Sequence, residues 1–228
     1  MIVAGRVRVA GKVVRELGTQ VDEGARVEVD GKPVRADAPR TYQVIHKPIG
    51  VVTTLRDPEG RRTIGDLVRG AGVTARVVPV GRLDYDTSGV LLMTDDGQAA
   101  HVLTHPRFGV EKTYRATLRG RLGPDTVEQV LRGVRLEEGR TAPGQLRVVA
   151  VRRDVSLVDL TLHEGHNRQV RRMFEALDHP VLALVRLRFG PISLGELAVG
   201  GVRPATEREL ASIRRIVAAA DAEPRSET

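Results

Sequence analysis

Residues 81–97 read GRLDYDTSGVLLMTDDG. Four consecutive apolar side chains, Val90 to Met93, follow two carboxylates, Asp84 and Asp86, and a Thr87-Ser88-Gly89 turn. Asp95-Asp96-Gly97 then closes the segment. A short apolar run bounded by turn residues is the pattern of a buried strand. Upstream, Val77, Val78 and Val80 read as the end of another strand, so Asp84 falls at a strand-to-loop junction on the lip of a sheet. Aspartate at such a place ordinarily makes a turn or a cap. That reading is preferred for Asp86; for Asp84 the spacing leaves turn and chemistry both open.

The chain has 228 residues, of which 41% are apolar, enough for a substantial core. It has no cysteine, which excludes disulfides, thiolate–metal sites and cysteine nucleophiles. Its six histidines show no HExxH-like pairing, so no metal is expected. Without a long apolar run or a charged-then-apolar leader, the expectation is a soluble, cytoplasmic protein, monomeric, with no membrane partner. Lys and Arg total 36 against 29 Asp and Glu, a formal charge of +7 dominated by arginine. Guanidinium groups match phosphate oxygens bidentately, so nucleic acid is the first candidate partner and an anionic membrane the second. An arginine-rich coding bias is the bland alternative.

Outward from the opening stretch, the pattern is mixed. RVRVAGKVV and ARVEVDGKPV alternate apolar and polar residues and bend at Gly-Lys pairs, so residues 1–38 read as two strand-turn units. Ala36-Asp37-Ala38-Pro39-Arg40 has linker character, and the boundaries are set at 1–38, a linker over 39–41, a main domain over 42–217 and a disordered tail over 218–228. YQVIHKPIGVVTT predicts a strand, a turn and a strand, and TIGDLVR a short helix. DTVEQVLRG places Val127, Val130 and Leu131 at helical spacing, with a stop at Gly133. Val158, Leu160 and Leu162 share one strand face, and Thr206 to Glu209 has capping-box spacing before a last helix. Strands and helices mix without βαβ alternation, which predicts an α+β fold with a largely antiparallel sheet flanked by helices.

In HEGHNRQVRRMFEALDHP, Val170, Met173, Phe174 and Leu177 recur at i, i+3, i+4 and i+7, predicting a helix capped by Asn167. Arg168 and Arg172 then point away from the core, available to phosphates, while Arg171 lies at the flank of the buried face. A basic helix face alone is most often merely solvated.

GRLDYDTSGVLLMTDDG closely resembles the signature GRLD-x-x-T-S-G-L-L-L-x-T-x-D-G of the bacterial pseudouridine synthases that act on ribosomal RNA, in the branch of the small-subunit enzyme and its large-subunit relatives. VIHKPIGVVTT, GVEKTYRA and HEGHNRQVRRMFEALDHPVLALVRLRFGPISLGEL match in the same order, covering Tyr42 to about Leu210. The long NRQVRRM…HPV…RFGP run is closest to the large-subunit members. Val90 stands where the signature has Leu, a conservative core swap.

The resemblance implies that Asp84 is the catalytic carboxylate, that Tyr114 packs on the target base and can remove a proton, and that the basic residue paired with the aspartate is Arg171 or, as the alternative, Arg168; the helix geometry favours Arg171. It implies that Arg82 holds the site from which the base is extruded, and that Asn167, Arg168, Gln169 and Arg172 contact RNA. The substrate would be a uridine of ribosomal RNA, free or in a pre-ribosomal particle, most simply the 23S molecule. The implied reaction is redox-neutral, so no cofactor is expected. Relatives begin with an S4-type RNA-binding module; this chain opens inside it, so residues 1–38 are expected to be a truncated S4-like remnant. The competing readings are a non-catalytic rRNA-binding or ribosome-assembly factor and, more weakly, a glycosidase or nucleosidase pairing Asp84 with Asp86.

Overall fold

The computed structural model describes residues 1–22, 24–34 and 39–222. It divides into two compact units, Met1–Arg40 and Thr41–Thr228. The first is a small antiparallel sheet of β1 (Val7–Val9), β2 (Lys12–Val14), β3 (Val27–Val29) and β4 (Lys32–Pro33), in the order β2-β1-β3-β4. The two Gly-Lys bends are its hairpins: Ala10-Gly11 and Asp30-Gly31 all take positive φ, the requirement of a tight two-residue turn. No fully buried hydrophobic side chain belongs to this unit among the described residues. Linker residues 36–38 lie outside the described residues.

The second unit is built on one mixed sheet. In chain order it contains β5 (Tyr42–Lys47), α1 (Ile64–Gly70), β6 (Val78–Val80), β7 (Ser88–Thr94), α2 (Gly97–Thr104), β8 (Lys112–Arg119) and α3 (Pro124–Arg132). There follow β9 (Arg135–Leu136), β10 (Gly139–Arg140), β11 (Gln145–Val151), β12 (Val155–Leu162), α4 (Gln169–Glu175), β13 (Val181–Phe189), β14 (Ile192–Ser193), β15 (Val202–Pro204) and α5 (Glu207–Ala222). The sheet order is β11-β12-β8-β13-β7-β5-β15, with β14 beside β13 and β6 beside β7. Its pairings are antiparallel except that of β13 with β7. The expected α+β class with a largely antiparallel sheet holds.

The VLLM run shows how sequence sets packing here. Val90 and Leu92 face a cluster with Phe189, Leu103 and Ile213, under α2 and α5. Leu91 and Met93 face the opposite cluster, with Ile45, Ile64 and Leu67 of α1. All four are fully buried, because a central strand covered on both faces must be apolar at every position. A third cluster packs Val170, Met173 and Phe174 of α4 and Val130 of α3 on Leu118, Val158 and Leu160.

Local signals explain the helix starts. Thr63 and Asp66 form a reciprocal capping box on α1, and Thr206 and Glu209 do the same before α5. Three expectations need correction. α2 is an additional helix: Asp96, read as a closing turn, accepts the Ala99 amide (2.9 Å) and starts it. Its eight residues carry too short an apolar stripe to stand out by periodicity. In α3, Leu131 is 42% exposed rather than inward. The tail does not begin at 218, for α5 runs to Ala222, with Ala220 buried and Gln98 hydrogen-bonded to Asp221; alanine-rich sequence favours continued helix. Residues 223–228 lie outside the described residues.

Two halves of the large sheet meet only at β7 and β13, through Val185 opposite Ser88 and Arg186 opposite Gly89. Gly89 has φ +124°, and a Cβ there would overlap the backbone N and O of Arg186 and sit 2.8 Å from its Cα. A side chain is excluded both by space and by backbone conformation. Across β7, Gly89 pairs with Lys47, whose side chain is fully buried and donates to the carbonyls of Pro48 and Val51, both at 2.8 Å. Burial lowers the Lys47 ammonium to about 8, against the opposing attraction of Asp84 and Asp86.

Gly89→Ala is expected to cost about 3–5 kcal/mol in urea unfolding, because backbone on both sides must move; a loss under about 1 kcal/mol would contradict the close approach. Lys47 binds fewer protons folded than unfolded between its folded value of about 8 and its ordinary 10.5, so stability should rise with pH across that window. The rise, on the order of 3 kcal/mol, should be missing from Lys47→Met in the same pH series. A parallel rise in the variant would assign it elsewhere.

Candidate active site

The GRLD segment leaves β6 at Gly81, which takes positive φ (+76°), and is anchored by what precedes the acid. Leu83 is buried in the α1-side cluster, and the Thr53 hydroxyl both donates to its carbonyl (2.6 Å) and accepts from its amide (3.3 Å). The Thr87 amide donates to the Asp84 carbonyl (3.1 Å), so residues 84–87 form a closed turn before β7. An anchored leucine on one side and a hydrogen-bonded turn on the other fix the Asp84 backbone.

Asp84 lines a cleft of about 390 Å³, a size suited to a small ligand or nucleoside. Arg82 and Thr87 share its loop side; Lys112 and Tyr114 of β8, and Arg186 and Phe189 of β13, contribute from the sheet; residues 164–170 complete the wall. The cleft thus gathers Asp84, Tyr114, Arg82, Asn167, Arg168 and Gln169 of the expected set, and leaves Arg171 and Arg172 outside its lining.

The charge network differs from expectation. The guanidinium within ion-pair range of Asp84 is that of Arg168, at 3.9 Å, not that of Arg171. Arg168 also donates to both carboxylate oxygens of Asp86, at 3.1 Å each. Arg171, only 12% exposed at its side chain, lies behind this pair: its Nε is 3.3 Å from Asp86 Oδ2, and its terminal nitrogens donate to the carbonyls of Asp86 (2.9 Å) and Val181 (3.2 Å). Asp86 is therefore an ion-pair hub rather than a simple turn residue. Burial pushes its carboxyl up, but hydrogen bonds from Arg168 and the charges of Arg171 and Arg168 outweigh this and hold it below the usual range.

The reason lies at the start of α4. The helix begins at Gln169, and its flanking residue is Arg168, left-handed at φ 49° and ψ 28°, with no side-chain cap; Asn167 is not the cap. Helical geometry therefore does not apply at Arg168, and its side chain turns toward the GRLD loop instead of outward. Gln169, expected to face RNA, is 4% exposed and serves the turn, accepting the His166 amide (3.0 Å) and donating to Glu164. Arg172 pairs bidentately with Glu138. Tyr85, beside Asp84, is 53% exposed. Lys112, Arg186 and Glu164 carry no role in the sequence reading, and Thr87 only that of a turn residue; strand alternation past Val181 is the one signal that puts Arg186 on a buried face.

Chemically, the cleft offers an acid whose charge is supported by a cation that cannot lose its proton, beside a phenol. No cluster suited to a metal ion occurs among the described residues, and no helix among them is long and apolar enough to cross a membrane.

A profile of the RNA pseudouridylate synthases matches residues 41–176. The chain is 41% identical to ribosomal large subunit pseudouridine synthase B of Bacillus subtilis (strain 168), over 95% of this chain and 88% of that one. It is 39% identical to ribosomal small subunit pseudouridine synthase A of Escherichia coli (strain K12), over 91% and 89%. A crystal structure of a pseudouridylate synthase superposes with a TM-score of 0.70 at 31% identity, covering 93% of this chain and 90% of that one. With this match over most of its length, the chain belongs to the RNA pseudouridylate synthase family.

Proposed function

We propose that the protein converts a uridine of ribosomal RNA to pseudouridine in the Asp84 cleft. The observation that carries the proposal is the meeting there of Asp84, Tyr114 and the Arg168 guanidinium from three separate parts of the chain. The reaction breaks the N1–C1′ bond, turns the base and joins C5 to C1′. Asp84 supplies the carboxylate at the sugar, as nucleophile at C1′ or as base at C2′. Arg168 supports its charge directly, while Arg171 braces Asp86 and the main chain of the loop. Tyr114 packs on the base and takes the C5 proton, directly or through water. A uridine must leave its stack to enter, at a cost of a few kcal/mol that an aromatic contact partly offsets.

The substrate is assigned to 23S RNA, on the large-subunit relative and on the long NRQVRRM…RFGP run. Mapping pseudouridines in rRNA from cells lacking the gene identifies the position; a missing site in 16S RNA would overturn the assignment. The second reading, a binding factor without turnover, keeps the RNA surface and drops the chemistry. Asp84→Asn separates the two. It should abolish tritium release from C5-labelled RNA, a drop of at least about 10³-fold, while RNA affinity stays within about threefold. Turnover by the variant near the wild-type rate would remove Asp84 from the chemistry. Arg82 is exposed and makes no ion pair among the described residues. Arg82→Ala should weaken RNA binding and lower the slope of log affinity against log salt by about one, the signature of one lost phosphate contact.

A further inference from the structure

Two cations in the cleft have no part in the scheme above. Arg186 is 3% exposed and Lys112 9%, and both line the cleft with Tyr114. Arg186 sits directly opposite Tyr114 across β8 and β13, and cross-strand partners project from the same face of a sheet. Its Nε donates to the Val90 carbonyl (2.9 Å), and its guanidinium carbon lies 4.8 Å from the centre of the Phe189 ring. Its Nη2 is buried with no partner among the described residues, and so is the hydroxyl of Thr87, which lines the same cleft. Lys112 Nζ donates to the Val110 carbonyl (2.9 Å). Burial first, and then the charge of Arg186, hold the Lys112 ammonium below the ordinary lysine range, with Glu164 opposing. Glu164 itself is engaged by Gln169 and the Ala142 amide.

A charged donor left unpaired in a dry site is unfavourable, and it persists where a ligand supplies the acceptor. A backbone phosphate remains with the RNA chain, at the mouth of the cleft, where Arg82 is exposed. A base stacked on Tyr114 would lie on the sheet face from which Arg186 projects. When the N1–C1′ bond breaks, its electron pair leaves with that base, giving a uracil anion whose charge spreads to O2 and O4.

We propose that Arg186, assisted by Lys112, is a catalytic residue that stabilises this uracil anion through the free guanidinium Nη2. The step is balanced. The base departs with the bonding pair, and C1′ is satisfied either by the Asp84 carboxylate or by loss of the C2′ proton. After the base turns, C5 bonds to C1′ as the Asp84–C1′ bond breaks, or as C2′ regains its proton; the C5 proton then leaves and N1 takes one up, so charge and protons balance. Fixed donors aimed at developing charge, in a site that excludes water, are the general means of accelerating such a step.

This inference rests on the proposed function and is tested apart from it by changing the leaving group. Fluorine at C5 acidifies the pyrimidine, so 5-fluorouracil departs as a better anion and depends less on external stabilisation. Full-length protein is given rRNA transcripts made with uridine or with 5-fluorouridine, and single-turnover loss of the target nucleoside is followed by nuclease digestion and chromatography. Arg186→Gln should slow the uridine reaction about 100-fold, the usual effect of removing one such donor, with RNA affinity within about threefold of wild type. The fluorouridine reaction should slow about tenfold or less. Equal slowing on both substrates, or no slowing, would overturn the proposal. Lys112→Met should show the same preference with smaller amplitude, and it decides the matter if Arg186→Gln does not fold. If Asp84→Asn turns over, the site itself is misassigned; if it is inactive while Arg186→Gln is blind to the leaving group, only the anion role falls.

Discussion

The structure depends on one close approach, the backbone of Gly89 against that of Arg186. Among the described residues, two residue pairs join β7 to β13, and they are the strand pairing that links the antiparallel group β11-β12-β8-β13 to the group around β7 and β5. Asp84 belongs to the loop entering β7; Tyr114 and Arg186 belong to the other side. The seam therefore brings acid and phenol to one cleft. Gly89 is the residue that permits it, since any side chain would meet Arg186 main chain.

Around that seam, charge is layered. Lys47 lies buried beneath the loop, Arg171 braces Asp86 and the Val181 carbonyl, and Arg168 bridges Asp86 and Asp84. One carboxylate, Asp86, is saturated by guanidinium contacts, while that of Asp84 accepts no hydrogen bond among the described residues and lines the cleft. Two acids two residues apart thus serve different ends: one ties the α4 turn to the loop, and the other is left to meet a ligand. That division also disfavours a glycosidase-like carboxylate pair, because Asp86 is committed elsewhere.

Much of this was legible in particular residues. The VLLM run identified a strand buried on both faces because no polar side chain could be tolerated there. Thr206 with Glu209 announced a helix start through reciprocal hydrogen bonds that span three residues, and the structure adds the same box at Thr63 and Asp66. Asp96 escaped notice because α2 is short and its apolar stripe narrow. Asn167 was misjudged as a cap because cap preference is a statistical tendency, and here a left-handed Arg168 begins the helix instead.

Sequence alone determined the mixed fold class, the buried central strand and the aspartate at the lip of the sheet, because these follow from side-chain polarity, turn chemistry and signature residues along one stretch of chain. Which arginine reaches Asp84, and that Arg186 and Lys112 share its cleft, only the tertiary structure decided. The Arg168–Asp84 and Arg186–Gly89 contacts join residues about 80 or more positions apart, through one backbone angle at Arg168 and the meeting of two strands at Gly89, and no periodicity within a segment encodes either.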